Sequence, residues 1–408
     1  MKIPRNALLM SLICTTGLLA ASAAWSADLP PVKVGVLTDM TGFASDANGK
    51  GSLVAAQLAA EDFVAANPGA KVEVISADHQ NKADIGATIA RRWLDTEKVN
   101  AVLDVPVSSV ALAVSELTRN ANALFLASGP GSTELTGGRC SPHTIHWTYD
   151  TWSLARGTAS TVTEKVGKRW FFLTADYAFG HALERDSSEL VKANGGSIAG
   201  AVRHPINATD FSSFLVQAQA SKADVIDLAN AVGDTINSIK QAAEFNVSGG
   251  NQALVALLLQ LTDVHSLGLK VAQGLYLTQP FYWDMNDGTR AFADRFAKRM
   301  DGRRPTDVQA GVYASLMHYL KSVASTKSTN ADQVVADMKK TPTNDALFGK
   351  GRIRADGRVI HDMYVMKVKS PAASKGPWDY FEVVSTIPAE QAFRPESQGG
   401  CPLVTASK

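Results

Sequence analysis

An alternation of apolar runs and amphipathic helices, repeated twice along the chain, restricts the fold more than any other feature. The first series pairs VKVGVLT with GSLVAAQLAAEDFVAAN, KVEVISAD with KADIGATIARRWLDTE, VNAVLDV with SSVALAVSELTRNA, and ALFLAS with the glycine-rich GPGSTELTGGRC. The second opens at KRWFFLTAD and continues through HALERDSSELVKANGG, SIAGAVRHPI, DFSSFLVQAQAS, ADVIDLA, GDTINSIKQAAEFN and QALVALLL. Apolar runs without a polar alternate belong to strands buried on both faces, and the intervening helices make the crossovers between parallel neighbours. The expected fold class is therefore α/β, with two doubly wound parallel-sheet lobes.

The last third does not begin a third lobe. DGTRAFADRFAKRM and TDVQAGVYASLMHYLKSVAST are helices with too few strands between them for another sheet, so they must pack on what is already built. FGKGRIRADGRVIHDMYVMKVKS then reads as turn, strand and turn, with Asp356-Gly357 as a hairpin signal, and WDYFEVVST as a final strand. The chain is expected to return to the first lobe and cross again to the second. That divides it into 28–148 plus 280–345 (N-terminal lobe), 149–279 plus 346–387 (C-terminal lobe), and a tail, 388–408, tied back to the N-terminal lobe. Several crossings make a hinge, and ligands of such sheets bind where the carboxyl ends of their strands face a cleft.

The start of the chain bears on compartment. Lys2 and Arg5 precede the apolar stretch ALLMSLICTTGLLAASAA, and small residues at Ser22, Ala24, Ser26 and Ala27 offer cleavage sites, so 1–27 reads as a secretory signal peptide. Its most apolar part is shorter than the roughly 20 residues of a membrane span. Removing Lys2 and Arg5 leaves 38 basic against 39 acidic residues, a net charge of −1, which argues against a nucleic-acid partner. Cys14 leaves with the leader. Cys140 and Cys401 remain as an even pair in an oxidising compartment, and one disulfide is the simplest expectation, two separate thiols the alternative.

The loop after the first strand, DMTGFASDANGKG, stands where a dinucleotide-binding turn would stand. Only Gly49 and Gly51 fit the G-x-G-x-x-G spacing, and Val54 occupies the third position. Met40, Thr41 and Phe43 in that loop suit a small organic solute better than a pyrophosphate. Catalytic spacings are absent: there is no G-x-S-x-G, H-E-x-x-H or C-x-x-C. His143 and His146 lie three apart in an extended stretch, where their side chains diverge. No enzyme activity, metal or cofactor is expected.

Taken together, VKVGVLTDMTG with its alanine-rich helix, VNAVLDVPVSSVALAVSEL, LFLASGPGSTELT, WFFLTADYAFGHAL and FGKGRIRADGRVIHDMYVMKV resemble the branched-chain-amino-acid type of periplasmic solute-binding protein. The resemblance covers nearly the whole mature chain in order. It implies a type I periplasmic binding fold, a periplasmic location, a small-molecule solute as ligand and the permease subunits of an ABC importer as partners, with the binding protein a monomer. Within that family, CSPHTIHWTYDTWSLARGT and GGCPLV resemble members that bind aromatic carboxylates.

The resemblance also implies a site. In the first lobe the ligand carboxylate is held by Ser108 and Ser109, which open the helix after the third strand, and by Ser128, Gly129 and Gly131 after the fourth. Free N–H groups at a helix start bind anions without a basic side chain, although a serine there can equally be a cap. In the second lobe the implied contacts are Tyr177 and Phe179 before Gly180, then Asn230 and Asp234. Amino-acid binders carry an acid on the following strand for the ligand's ammonium; here Leu259 or Gln260 stands there. That departure, with Phe43, Tyr149, Tyr282 and Trp283 in loops expected at the cleft, favours a small aromatic carboxylate. The alternatives are an amino acid or amide as ligand, a sensing rather than a transport role, and core packing for some of the aromatics.

Overall fold

The computed structural model describes residue 1 and residues 29–247 and 252–405. The stretch read as an export leader, apart from residue 1, with its expected cleavage site, and the last three residues of the tail lie outside the described residues. Within them, no helix is long and apolar enough to cross a membrane.

The first lobe is built from β1 (Val32–Thr38), α1 (Gly49–Ala66), β2 (Val72–Asp78), α2 (Ala83–Asp95), β3 (Ala101–Asp104), α3 (Ser108–Asn120), β4 (Leu124–Ala127) and β5 (Thr144–His146). The strands form one parallel sheet in the order β2-β1-β3-β4-β5, with Val34 between Val74 and Ala101. Every residue of β3, β4 and β5 is buried, as apolar strands covered on both faces require. Gly35 in β1 has a packing reason: a Cβ there would stand 2.4 Å from the ring of Trp93 on α2.

The second lobe repeats the plan. It runs α4 (Thr151–Lys165), β6 (Arg169–Ala175), α5 (Ala178–Ala193), β7 (Ser197–His204), α6 (Ser212–Ala220), β8 (Val225–Ala229), α7 (Val232–Glu244) and β9 (Ala253–Ala256), and its parallel sheet has the order β7-β6-β8-β9. In each sheet the order reverses once, between β1 and β3 and between β6 and β8. At such a point successive loops leave toward opposite faces and open a crevice at the carboxyl ends.

After α8 (Leu261–Leu267), α9 (Leu269–Ala272) and β10 (Tyr276–Gln279), the chain returns to the first lobe. There α10 (Asp287–Ala297), α11 (Asp307–Thr326) and α12 (Ala331–Lys340) join the first core through Phe292, Phe296, Leu316, Tyr319 and Val334. Strands β11 (Thr343–Asp345), β12 (Gly349–Ile353) and β13 (Val359–Ile360) form a small antiparallel sheet, with Asp356-Gly357 in the β12–β13 turn and Gly357 at φ +86°. Residues 346–359, expected in the second lobe, pack in the first: Leu347, Phe348, Ile353 and Val359 lie in its core, and Arg358 bridges to His146 at the sheet edge. Of the hairpin's strands, Ile353 at the end of β12 and both residues of β13 are buried, and the bridge from Arg358 sets the hairpin beside the open edge at β5. The crossing to the second lobe comes later, at β14 (Met363–Val368), which with β15 (Phe381–Ile387) pairs antiparallel to β10.

Arg358 ties two crossings together. Its guanidinium is fully buried and donates to the carbonyls of Thr148 (2.6 Å) and Tyr149 (3.0 Å) on the first crossing, with the Asp150 carboxylate at 3.7 Å. The tail continues through α13 (Ala389–Ala392), packs Phe393 into the second lobe's core, and ends at α14 (Pro402–Thr405) beside the disulfide between Cys140 and Cys401, 261 residues apart in sequence.

Candidate functional site

The two reversal points face each other across a narrow pocket with a cavity volume of about 30 Å³. From the first lobe it is lined by Phe43, Ala44, Ala47 and Asn48 after β1, Pro106 and Val107 after β3, and Gly129 and Gly131 after β4. From the second come Tyr177 and Phe179 after β6, Ala231 and Val232 after β8, and Leu258 and Gln260 after β9. Tyr149 reaches in from the first crossing. None of these lining residues carries a charge.

Besides the short α8, whose N-cap Gln260 forms a capping box with Asp263, four helices begin at this pocket: α1, α3, α5 and α7. Their N-cap residues, Asn48, Val107, Tyr177 and Ala231, all line it, and none makes a side-chain cap hydrogen bond. By contrast α4, α10, α11 and α12 are capped by Asp150, Asn286, Thr306 and Asn330. Helices α2 and α6 are also uncapped but start away from the pocket, so what distinguishes the site is the convergence of four starts on one space. Each start brings N–H groups without intrahelical acceptors and a partial positive charge, which suits an anion in a space that holds no cation.

The loops pay for this geometry with backbone strain. Asp104 (φ 74°), Val105 (φ 55°) and Val232 (φ 45°) hold left-handed conformations that valine rarely adopts, all within a residue or two of the pocket wall. Beneath the pocket, the buried Asp104 accepts hydrogen bonds from Thr38 and Asn48, each at 2.8 Å. Burial pushes its carboxyl up to about 6, against those hydrogen bonds. Gly129 lies against this group; a Cβ there would stand 2.6 Å from Asp104.

Aromatic rings form the walls. Tyr177 and Phe179 lie 6.0 Å apart between centroids, and Gly131 fits between the rings of Phe179 and Tyr149, 2.7 and 3.0 Å from where its Cβ would be. The Tyr149 hydroxyl donates to the Gly129 carbonyl at 3.2 Å. Burial raises the pKa of both Tyr149 and Tyr177 well above the ordinary phenol value, so both stay neutral donors.

Of the residues singled out from sequence, Phe43, Gly129, Gly131, Tyr149, Tyr177, Phe179 and Gln260 meet at this pocket. The others lie elsewhere for identifiable reasons. Met40 is only half-buried and outside the lining, and Thr41 is exposed, giving its hydroxyl to Asp78 at 2.8 Å. Ser108 is the first residue of α3 rather than its cap, and its Oγ accepts from the Ser132 N–H at 3.2 Å; Ser109 follows it outside the lining. Ser128 packs toward Ser315 at 3.4 Å. Asn230 is consumed by His204, Ser238 and Thr235, and Asp234 by the N–H groups of Asn207 and Ala208. Tyr282 and Trp283 are not in the cleft: both donate to the Trp378 carbonyl, at 3.0 and 2.8 Å, Tyr282 packs 5.3 Å from Phe381, and Arg304 covers the indole of Trp283 at 4.4 Å. His143 and His146 diverge, to Asp332 and to the Pro130 carbonyl.

Sequence reading missed Ala44, Ala47, Asn48, Pro106, Val107, Ala231, Val232 and Leu258. Most are small or apolar and carry no chemical signature. Their positions, immediately before helices at the two reversal points, were the available signal.

A family model described as periplasmic binding protein matches residues 31–377. A periplasmic binding protein from Burkholderia mallei is 47% identical, with 91% of this chain and 99% of that one covered and a TM-score of 0.89. A branched-chain amino acid ABC transporter periplasmic ligand-binding protein from Burkholderia xenovorans is 39% identical over 91% and 99% of the two chains, with a TM-score of 0.81. A solute-binding protein of Rhodopseudomonas palustris in complex with benzoate shares the fold at 16% identity, covering 91% of this chain and 100% of that one, with a TM-score of 0.77. No curated protein matches the chain.

Proposed function

The chain belongs to the periplasmic binding protein family, the ligand-binding components of ABC transporters, and from that premise we propose that it captures a small aromatic carboxylate between its lobes and presents it to membrane permease subunits. The family binds solutes rather than transforming them, and it implies the periplasm as location. The observation that carries the ligand reading is the convergence of four uncapped helix starts on a pocket without a charged side chain. A carboxylate meets about 0.3–1 kcal/mol of favourable dipole interaction at each helix start it reaches. The rings of Phe43, Tyr149, Tyr177 and Phe179 supply flat apolar walls, worth about 0.5–1.5 kcal/mol per well-placed ring pair beyond area burial.

Loop closure around such a ligand follows the hinge repertoire of two-lobed binders, with the protein acting as a monomer. The second reading is an aliphatic amino acid, favoured by the name of the Burkholderia xenovorans relative. Against it stands the lack of an acidic side chain in the lining for the ammonium, since a buried cation without a partner is costly. Calorimetry on protein unfolded and refolded to strip carried-over solute decides between them, with benzoate and cinnamate beside leucine and valine. Micromolar binding of an aromatic acid is expected. Binding of leucine or valine with no heat from either aromatic acid overturns the proposal.

A further inference from the structure

An acid lies directly under the pocket that the helix starts make favourable to an anion. Asp104, the last residue of β3, is fully buried, and its carboxylate accepts from the Thr38 hydroxyl and the Asn48 amide, each at 2.8 Å and both neutral. Asn48 and Gly129 stand between it and the pocket. Both line that space, Asn48 holds Asp104 through its own side chain, and a Cβ on Gly129 would stand 2.6 Å from the Asp104 Oδ1. A molecule resting on Gly129 is therefore one layer of protein atoms away from the carboxyl group.

No cation offsets this group. From β1 and the loop after it come Thr38 and a second acid, Asp39, whose oxygens are taken by the N–H groups of Gly42 and Ala44 and the amide of Asn81. From α1 come Asn48 and Ser52, from the loops after β3 and β4 Pro106 and Gly129, and from the first crossing Tyr149, a neutral phenol that feels the Asp104 charge. His79, beside Asp39, is kept neutral because burial pushes its pKa down to about 4. Among the described residues no basic side chain pairs with Asp104. A carboxylate held by the helix starts adds a second negative charge to a poorly screened space, and two carboxyls so placed do not both stay ionised. The protein's acid is the one that yields, since burial has already lifted it to about 6 while the ligand has the helix starts.

We propose that capture of a carboxylate is accompanied by uptake of one proton from solvent at Asp104, so that the protein loads an anion and a proton together and holds its ligand less tightly as pH rises. This rests on the reading of the pocket as a carboxylate site. The proton goes to Oδ2, which then donates to the Thr38 hydroxyl, while Oδ1 still accepts from Asn48, so the group keeps both of its contacts. Above about pH 6 the ligand-free protein is mostly ionised at Asp104 and must gain the proton in order to bind. Affinity therefore falls by up to about tenfold per pH unit between that value and the higher one of the complex. Asp104 acts on the ligand through its charge, across the wall that Gly129 and Asn48 make.

The test is calorimetry of the stripped protein with benzoate and with leucine, whose carboxyl groups stay ionised from about pH 6 to 8, in Hepes and in Tris, whose different heats of ionisation count the protons taken up. For whichever acid binds, uptake of about half to one proton per ligand is expected near pH 7.5, with a Kd that rises about ten- to fiftyfold from pH 6 to 8. Asp104→Asn keeps an acceptor for Asn48, suits the left-handed backbone at φ 74° and lacks the charge. It should lower the proton count, flatten the rise in Kd by about fivefold or more, and bind more tightly than the unaltered protein at pH 8. Asp263 and Asp307, lifted to about 7 by burial, titrate in the same range. Whatever they contribute persists in the variant, so the difference between the two proteins belongs to Asp104. A purely structural role would weaken binding at every pH and leave the slope alone. If Asp104→Asn fails to fold, Asp104→Gly, which the same backbone suits, carries the comparison. Binding without proton uptake, or a proton count and slope that Asp104→Asn leaves unchanged, overturns the inference and leaves the carboxylate site standing; heat from neither acid removes both.

Discussion

Gly233 of α7 faces Phe43 of the opposite lobe so closely that a Cβ at 233 would stand 3.1 Å from the Phe43 Cβ. The atoms it would meet are close to the backbone and cannot swing aside. Gly233→Val should therefore hold the lobes apart, weakening ligand by about tenfold or more, in line with the overpacking of a close interface. Small-angle scattering should show the radius of gyration of the unaltered protein falling at saturating ligand and that of the variant staying put. Contraction of both to the same value would remove this contact from the closing mechanism.

Gly131 sits between the Phe179 and Tyr149 rings, and Gly131→Ala should displace at least one of them. The expected loss is about 1–2 kcal/mol in binding of an aromatic acid, with a smaller change in melting temperature of the ligand-free protein. Calorimetry and thermal unfolding of the same preparation separate the two effects. Unchanged affinity would mean that the bound ring does not contact this wall.

Cys140 and Cys401 fasten the tail to the first lobe, while Arg394 fastens it to the second through Asp186 (3.1 Å), Glu189 (2.9 Å) and the ring of Trp152 (4.0 Å). The tail is thereby a further crossing. Thiol titration of the exported protein under denaturing, non-reducing conditions should find no free thiol. Cys401→Ser should cost about 2–5 kcal/mol in urea unfolding, below the upper bound of about 5–6 kcal/mol that chain entropy sets for so long a loop. No loss of stability would show that Arg394 and its partners anchor the tail alone.

Asp227 in β8 is fully buried, and neither carboxyl oxygen has a hydrogen-bond partner. Burial, aided by Glu184, raises its pKa well above the ordinary 3.8. A folded-state pKa above the unfolded one means that the native state binds the proton more tightly. Its contribution is thus fully present below about pH 4 and is lost as pH rises toward the folded value, by up to about 1.4 kcal/mol per unit. Asp227→Val removes this dependence, and its stability relative to the unaltered protein should grow as pH rises from 4 to 8. A difference that stays constant across that range would show that Asp227 does not titrate differently on folding.

The strand–helix alternation made both sheets legible, because strands covered on two faces must be apolar throughout and leave an unmistakable pattern. The glycines after β4 and the aromatics after β6 came from the resemblance to solute-binding proteins rather than from the strand–helix pattern, and the structure places them in the pocket lining. Tyr282 and Trp283 were misplaced for a physical reason: a ring in a loop is equally favourable against ligand or against core, and nothing local says which. The same holds for Asn230 and Asp234, whose polar groups turn to neighbours brought in by other loops.

The sequence by itself determined the pair of parallel sheets, a cleft at the carboxyl ends of their strands and one disulfide as the simplest state of two cysteines, because periodicity and redox compartment act through local or whole-chain properties. Only the tertiary structure decided which lobe holds 346–359, which N-caps converge, and that Arg358 joins the first crossing through the carbonyls of Thr148 and Tyr149. Those depend on contacts between segments far apart in the chain, where burial is non-directional and the choice of neighbour is settled by shape and by which polar groups remain to be paired.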